Sequence, residues 1–355
     1  MRRTPPMHAP YASRRGPNRK DIMKEFLAKV PIPTGGVALG LAALGILLKP
    51  LSVIAYATCG ICALALLLLL AARAIVDIDS IKRDFDNPIL ASVSATALMA
   101  TMQLTTYLAP FAHTPALAIW AVAVAAHLAL IVWFTIRHVI RFDLKKVYPT
   151  FFICYVGIIV ASVTSPTYGL EPLGMGLFWF GFSAYAVLLA VVTARYAKHP
   201  VEEGARPLFC IYTAPMSLSL AGYLAVEAEP HLGFCCVLAV LAQILLIVVL
   251  VRMPLFLRLK FYPSYAAMTF PFVITATALD RTLGAMAEAG MVYPTTLHVL
   301  VGFETALACA MVGYVFVRYL MEFTRIAKTI RASRRQTASE IALAEQGAGC
   351  AAIEM

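Results

Sequence analysis

Few residues in this chain have the type and spacing to do chemistry. Cys59 and Cys62 stand as C-x-x-C, which holds a metal or forms a redox pair when a second pair or a histidine completes it. No such partner accompanies them. The other cysteines, at 154, 210, 235, 236, 309 and 350, are scattered, nearly all in apolar runs, and all eight read as small apolar side chains. Glu304 lies inside VLVGFETALACAM, where a carboxylate must be protonated, paired or wetted. It reads either as a neutral residue bonded to backbone or threonine, or as a coupling group acting with His298 or His127. His127, alone in an apolar run, otherwise reads as structural. No paired carboxylates, nucleophile–base arrangement or phosphate-cradling glycine loop is present, so neither an enzyme nor a nucleotide-driven pump is expected, and no cofactor or metal. What remains is MTFPFVITATAL at 268–279, with Pro271 between Phe270 and Phe272. In a continuous helix Pro271 would free the carbonyl of Ala267 and bend the axis. Phe270 then reads as a plug swinging on that bend, or as an aromatic packed between helices; Phe272 reads as packing. CIYTAPMSLSLAGYL repeats the device, with Pro215 freeing the carbonyl of Ile211.

These residues need a scaffold, and composition says which kind. Of 355 residues, 61% are hydrophobic and 14% charged, too little polar surface for a water-soluble protein of this size. Ten apolar runs are candidate spans, near 33–48, 52–72, 88–109, 115–136, 149–166, 173–194, 207–225, 232–251, 264–279 and 295–317. Domain boundaries follow: a basic tail at 1–30 with a short amphipathic helix at 21–30, a membrane domain at 31–321, and a tail at 322–355. No cleavable signal peptide is visible. The net charge of +10 points to a membrane surface and not to nucleic acid, because of where it sits. Of 29 Lys and Arg, all but Lys49 and Arg281 fall in the tails and alternate connections. The positive-inside rule then places both termini in the cytoplasm of a multi-pass inner-membrane protein.

Prolines lead each odd-numbered run: Pro33, Pro88, Pro149, Pro207 and Pro263, spaced 55, 61, 58 and 56 residues apart. Proline suits a first helical turn, where its missing N–H costs nothing. The near-constant spacing, in phase with the topology, predicts an all-α fold of five tandem helical hairpins. Ser and Thr concentrate in the odd runs, whereas even runs such as ICALALLLLLAA suit lipid. The expected architecture is therefore ten helices in a quasi-five-fold ring, odd helices inside. Candidate pore-lining residues are Thr34, Gly35, Ser94, Thr101, Gly157, Ser162, Pro215, Ser219, Thr269 and Thr277. No ionisable side chain interrupts the odd runs, while Lys and Arg crowd their leading ends, so anions are the expected cargo.

Five segments resemble the tellurite-resistance/dicarboxylate transporter family: VPIPTGGVALGLAALG at 30–45, NPILASVSATALM at 87–99, YPTFFICYVGIIVASVTSP at 148–166, RPLFCIYTAPMSLSLAGYL at 206–224 and FYPSYAAMTFPFVITATAL at 261–279. That family includes bacterial tellurite-resistance channels, yeast malate and sulfite transporters and plant slow-type anion channels. The resemblance implies five hairpins around a pore within each subunit, a homotrimer, and occlusion by a phenylalanine of the ninth helix, a place Phe270 occupies. Glu304 is a departure. The sequence thus predicts a channel or uniporter for small anions or C4-dicarboxylates gated at Phe270 and Pro271. Its rivals are a proton-coupled dicarboxylate or sulfite carrier using Glu304, and a non-transporting membrane enzyme or scaffold, for which the chain offers little. Ser333 between Arg331 and Arg335 resembles a modification site or a basic helix anchor.

Overall fold

The apolar runs become helices nearly throughout. The computed structural model describes residues 19–351, and no strand occurs among them. The basic residues at 2–15 and the last four of the chain lie outside the described residues. A short α1 (Arg19–Ala28) precedes α2 (Thr34–Leu48) and α3 (Val53–Val76), the latter capped by Ser52, which accepts from the Ala55 N–H. Then come α4 (Ile78–Phe85), α5 (Pro88–Val93), α6 (Ala95–Leu108) and α7 (His113–Phe134). Next come α8 (Thr150–Tyr155), α9 (Ile159–Thr164) and α10 (Glu171–Lys198). A 3-10 stretch, Glu203–Thr213, feeds α11 (Ala214–Val226), which α12 (Leu232–Leu257) follows. A second one, Pro263–Met268, feeds α13 (Phe270–Glu288), and α14 (Thr296–Ala351) closes the chain.

Among the described residues, seven helical stretches are long and apolar enough to cross a membrane: α3, α5 with α6, α7 with the turn after it, α10, Glu203–Val226, α12 and the part of α14 up to Arg334. The chain is thus a multi-pass all-α membrane protein. Burial sorts the helices into two sets. From α3, Ile54 is 80% exposed, and Val251 of α12 and Val299 of α14 project similarly. Such surfaces are stable only against lipid. By contrast, every residue of α2 from Thr34 to Gly45 is buried, as is every residue of α11 from Ala214 to Tyr223. The buried set touches in sequence: α2 packs on α6, α6 on α9, α9 on α11, α11 on α13, and α13 on α2.

The buried segments do not run straight. Breaks fall at Ser94, at Val156–Ile158, at the Thr213–Ala214 junction and at Thr269, each six to nine residues beyond its leading proline. This corrects the expectation of prolines kinking continuous helices. Pro215 and Pro271 sit in the first turn of new helices, where no N–H is needed, and Thr269 before the second has φ −114 and ψ −89, outside the helical region. Gly157 serves one of the two breaks that have no proline. A Cβ there would lie 2.1 Å from the Ile153 carbonyl oxygen and 2.6 Å from Met99 Sδ, so only glycine lets the chain turn that tightly.

Polar clamps hold the leading ends. Buried Arg73 at the end of α3 donates to the Val30 carbonyl (2.6 Å), to Ser80 Oγ (2.9 Å) and to Asp84 of α4, joining the first two hairpins. Asp84→Asn would leave a guanidinium that is 4% exposed short of its counter-charge. The expected cost is about 2–3 kcal/mol, below the fully buried case because Asp84 is partly wetted, and is read as earlier thermal unfolding in detergent. At the chain's two ends Glu25 accepts from Arg334 Nε (3.1 Å) while Phe26 meets Phe323 edge-on (6.3 Å). The Arg334 hydrogen bond holds the Glu25 carboxyl below its ordinary value, so this tie is present at neutral pH and is lost as pH falls through the lowered value.

Candidate functional site

A cavity of about 280 Å³ lies among the buried segments. Its wall takes Pro33, Gly36 and Leu39 from the α2 segment, Ile89 to Met99 positions from α5 and α6, Phe152 to Gly157 positions from the third, Leu208 to Leu218 positions from the fourth, and Pro263 to Pro271 positions from the fifth. No residue of α3, α7, α10, α12 or α14 lines it. Its wide end opens among the exposed or half-buried Ile89, Leu90, Glu202, Pro263 and Ser264. At the level of the breaks it is bounded by buried Met99, Gly157, Leu218, Phe270 and Pro271.

Phe270 is held there by its neighbour. The Thr269 hydroxyl lies 2.7 Å from the Ala266 carbonyl oxygen and 3.0 Å from that of Gly36, tying the break to α2. Close approach of α2 requires Gly40, where a Cβ would stand 2.5 Å from the Thr269 Cβ. Phe270 is 5% exposed, begins α13 and is one of the residues lining the cavity, while the backbone before it departs from helical geometry. Phe272 is buried and off the cavity. Electrostatics come from the backbone. The helix α13 starts at this level, at Phe270 after the non-helical Thr269, and sets the positive end of its dipole at the cavity wall, whereas α11 continues the hydrogen-bonded 3-10 stretch before it.

Of the residues singled out from sequence, Gly157, Pro215, Phe270 and Pro271 come together on this wall. Thr34, Gly35, Ser94, Thr101, Ser162, Ser219, Thr269 and Thr277 do not line it. The reason is that hydroxyls in an apolar interior bond to the nearest carbonyl of their own helix. Ser94 donates to Ala91 O (2.7 Å), Thr101 to Ala97 O (2.8 Å), Ser219 to Pro215 O (2.7 Å) and Thr277 to Val273 O (2.9 Å). Ser162 instead reaches across to Gly174 O of α10 (2.7 Å). The buried Thr34 hydroxyl has no hydrogen-bond partner among the described residues, and Gly35 faces Thr96. Ser94 borders a separate outer groove with Lys82 and Trp133. The wall is consequently mostly apolar, Thr96 and Ser264 supplying its hydroxyls.

The remaining candidates lie apart. Glu304 is 1% exposed on α14, its carboxylate oxygens without a hydrogen bond among the described residues, with Gln243 approaching from α12. His127 bonds through Nε2 to the Cys154 carbonyl (2.9 Å), and exposed His298 neighbours Tyr293, so neither pairs with Glu304. Sequence reasoning missed Glu202, a carboxylate at the cavity's mouth. It stands in a polar connection where a charge is unremarkable, and only the fold brings it to the opening. A family model described as a voltage-dependent anion channel matches residues 29–320. No curated protein matches the chain significantly.

Proposed function

Since the chain belongs to the voltage-dependent anion channel family, the tellurite-resistance/dicarboxylate transporters, and is a channel or transporter for anions rather than an enzyme, we propose that it is a channel or uniporter gated by Phe270. In this reading ten spans form five hairpins in a quasi-five-fold ring, with the proline-led segments inside and a pore within each subunit of a homotrimer. The circuit of contacts from α2 through α6, α9, α11 and α13 back to α2 supports the ring. Both termini face the cytoplasm of the inner membrane, by the distribution of Lys and Arg. The observation that carries the gate is the Phe270 ring on the wall of an uncharged throat, directly after the Thr269 break.

The mechanism follows from the wall. A small inorganic anion or C4-dicarboxylate gathers at the basic cytoplasmic rim and enters the wide end. The start of α13 favours negative charge by about 0.3–1 kcal/mol on the scale of exposed sites, without binding the ion so tightly that it cannot leave. An apolar constriction closed by an aromatic ring excludes a hydrated ion until the ring moves. Proteoliposome flux of chloride, nitrate, sulfite and malate, with and without a pH gradient, tests this reading. Downhill anion flux indifferent to the proton gradient is expected.

A second reading, a proton-coupled dicarboxylate or sulfite carrier, is favoured by one observation, the buried Glu304, which has no ionic partner among the described residues and only Gln243 close to its carboxyl. The two readings part on Glu304→Gln. Under the channel reading flux stays within about twofold of wild type, because the substitution keeps shape and removes only the titratable proton. A carrier instead loses accumulation against a gradient.

A further inference from the structure

Among the residues that line the cavity, one is ionisable, and it is Glu202. Its surroundings give it no competing task. Its carboxylate makes no hydrogen bond or ion pair among the described residues. The adjacent Glu203 is engaged, accepting from the Tyr262 hydroxyl at 2.7 Å, with Lys260 packed over the Tyr262 ring at 5.3 Å. The position of Glu202 is fixed, because its carbonyl accepts from the Ala205 N–H at 3.0 Å at the start of the 3-10 stretch that forms the wall. Its side chain is exposed, so the carboxylate stands at the opening, ahead of Phe270.

Resting on the channel reading above, we infer that Glu202 is a valence filter: its carboxylate at the mouth selects monovalent anions against divalent ones. A fixed negative charge opposes each unit of charge on an arriving anion separately. At about 5 Å in water the penalty is about fourfold in local concentration per unit of anion charge, and salt reduces it over a Debye length of about 8 Å. A dianion therefore pays the factor twice, and the ratio of monovalent to divalent entry is raised by about two- to fourfold at physiological ionic strength. No cationic side chain lines the cavity to reverse the preference. Substrates of choice are then small monoanions such as nitrate or chloride, and a dicarboxylate enters best in its singly protonated form.

Nitrate and sulfate flux into proteoliposomes, measured for the full chain carrying Glu202→Gln or Glu202→Lys, tests this. The same pair of anions is run in the Phe270→Ala background, where the mouth contributes more to the rate. The sulfate-to-nitrate ratio should rise about two- to fourfold with glutamine and further with lysine, and the gain should shrink in high salt. A ratio unmoved by either substitution, in protein that still passes nitrate, overturns the filter and leaves the channel standing. Absence of anion flux in folded wild-type and Phe270→Ala protein alike overturns the channel reading, and the filter with it.

Discussion

Phe270→Ala raises anion flux about tenfold or more in proteoliposomes, with the protein still folded. Phe270 lines the cavity at the level of the breaks, with Met99, Gly157, Leu218 and Pro271, and among the described residues no ion pair spans the passage there. In the proposed gate, what excludes an ion is steric closure and the cost of stripping water in an apolar throat. Removing the ring relieves both. A tenfold change corresponds to only about 1.4 kcal/mol of barrier, a small fraction of what a dry apolar constriction imposes on a hydrated ion. Because α13 starts at Phe270, alanine suits the position, and the loss of a large buried side chain costs about 3–5 kcal/mol at most. Tryptophan at 270 should act in the opposite direction and hold flux at or below wild type. Unchanged or lower conductance in folded Phe270→Ala protein would remove the gate from this residue.

Gly40→Val abolishes recovery of monodisperse protein. A Cβ at this position would stand 2.5 Å from Thr269 Cβ, 2.7 Å from Thr269 Oγ1 and 3.1 Å from the Phe270 nitrogen. The helix has nowhere to retreat. Thr269 bonds to the Gly36 carbonyl on the same face, and on the other side a Cβ on Gly35 would already stand 2.8 Å from Thr96 Oγ1. Overpacking of this kind costs about 3 kcal/mol or more, a large share of a typical domain's 5–15 kcal/mol. Combining Gly40→Val with Thr269→Gly should restore part of the loss, so that the pair is better than the sum of its singles by over about 1 kcal/mol in thermal unfolding. A Gly40→Val protein that purifies and unfolds like wild type would mean that α2 and the Thr269 break are not in contact.

Much of this was legible in the chain. The apolar runs, the leading prolines and the placement of Lys and Arg are low-resolution signals that demand no atomic detail. The interior was harder, for separable physical reasons. A proline in an apolar run has two readings, a kink within a helix or the first turn of a new one, and Pro215 and Pro271 both took the second. The turns at Ser94 and Gly157 carry no proline at all. A hydroxyl also has two uses in an apolar interior, facing water or bonding back to its own helix, and Thr101, Ser219 and Thr277 took the nearer carbonyl. Glu202 was invisible for the opposite reason. Its type and neighbours in sequence are ordinary, and its meaning arises only where the 3-10 stretch after it turns into the wall.

The seam where the last hairpin meets the first has a consequence for biogenesis. Thr269 touches Gly36 across 233 residues, and Arg334 reaches Glu25 across 309. Contacts so distant along the chain close late, after the intervening helices have been synthesised and inserted. On the proposed gating, four parts of the wall are then in place before the stopper is delivered. A nascent or prematurely terminated product would then leave a vestibule with its cork missing, and docking of the final pair would be both the step that completes the fold and the step that keeps a half-made molecule from leaking.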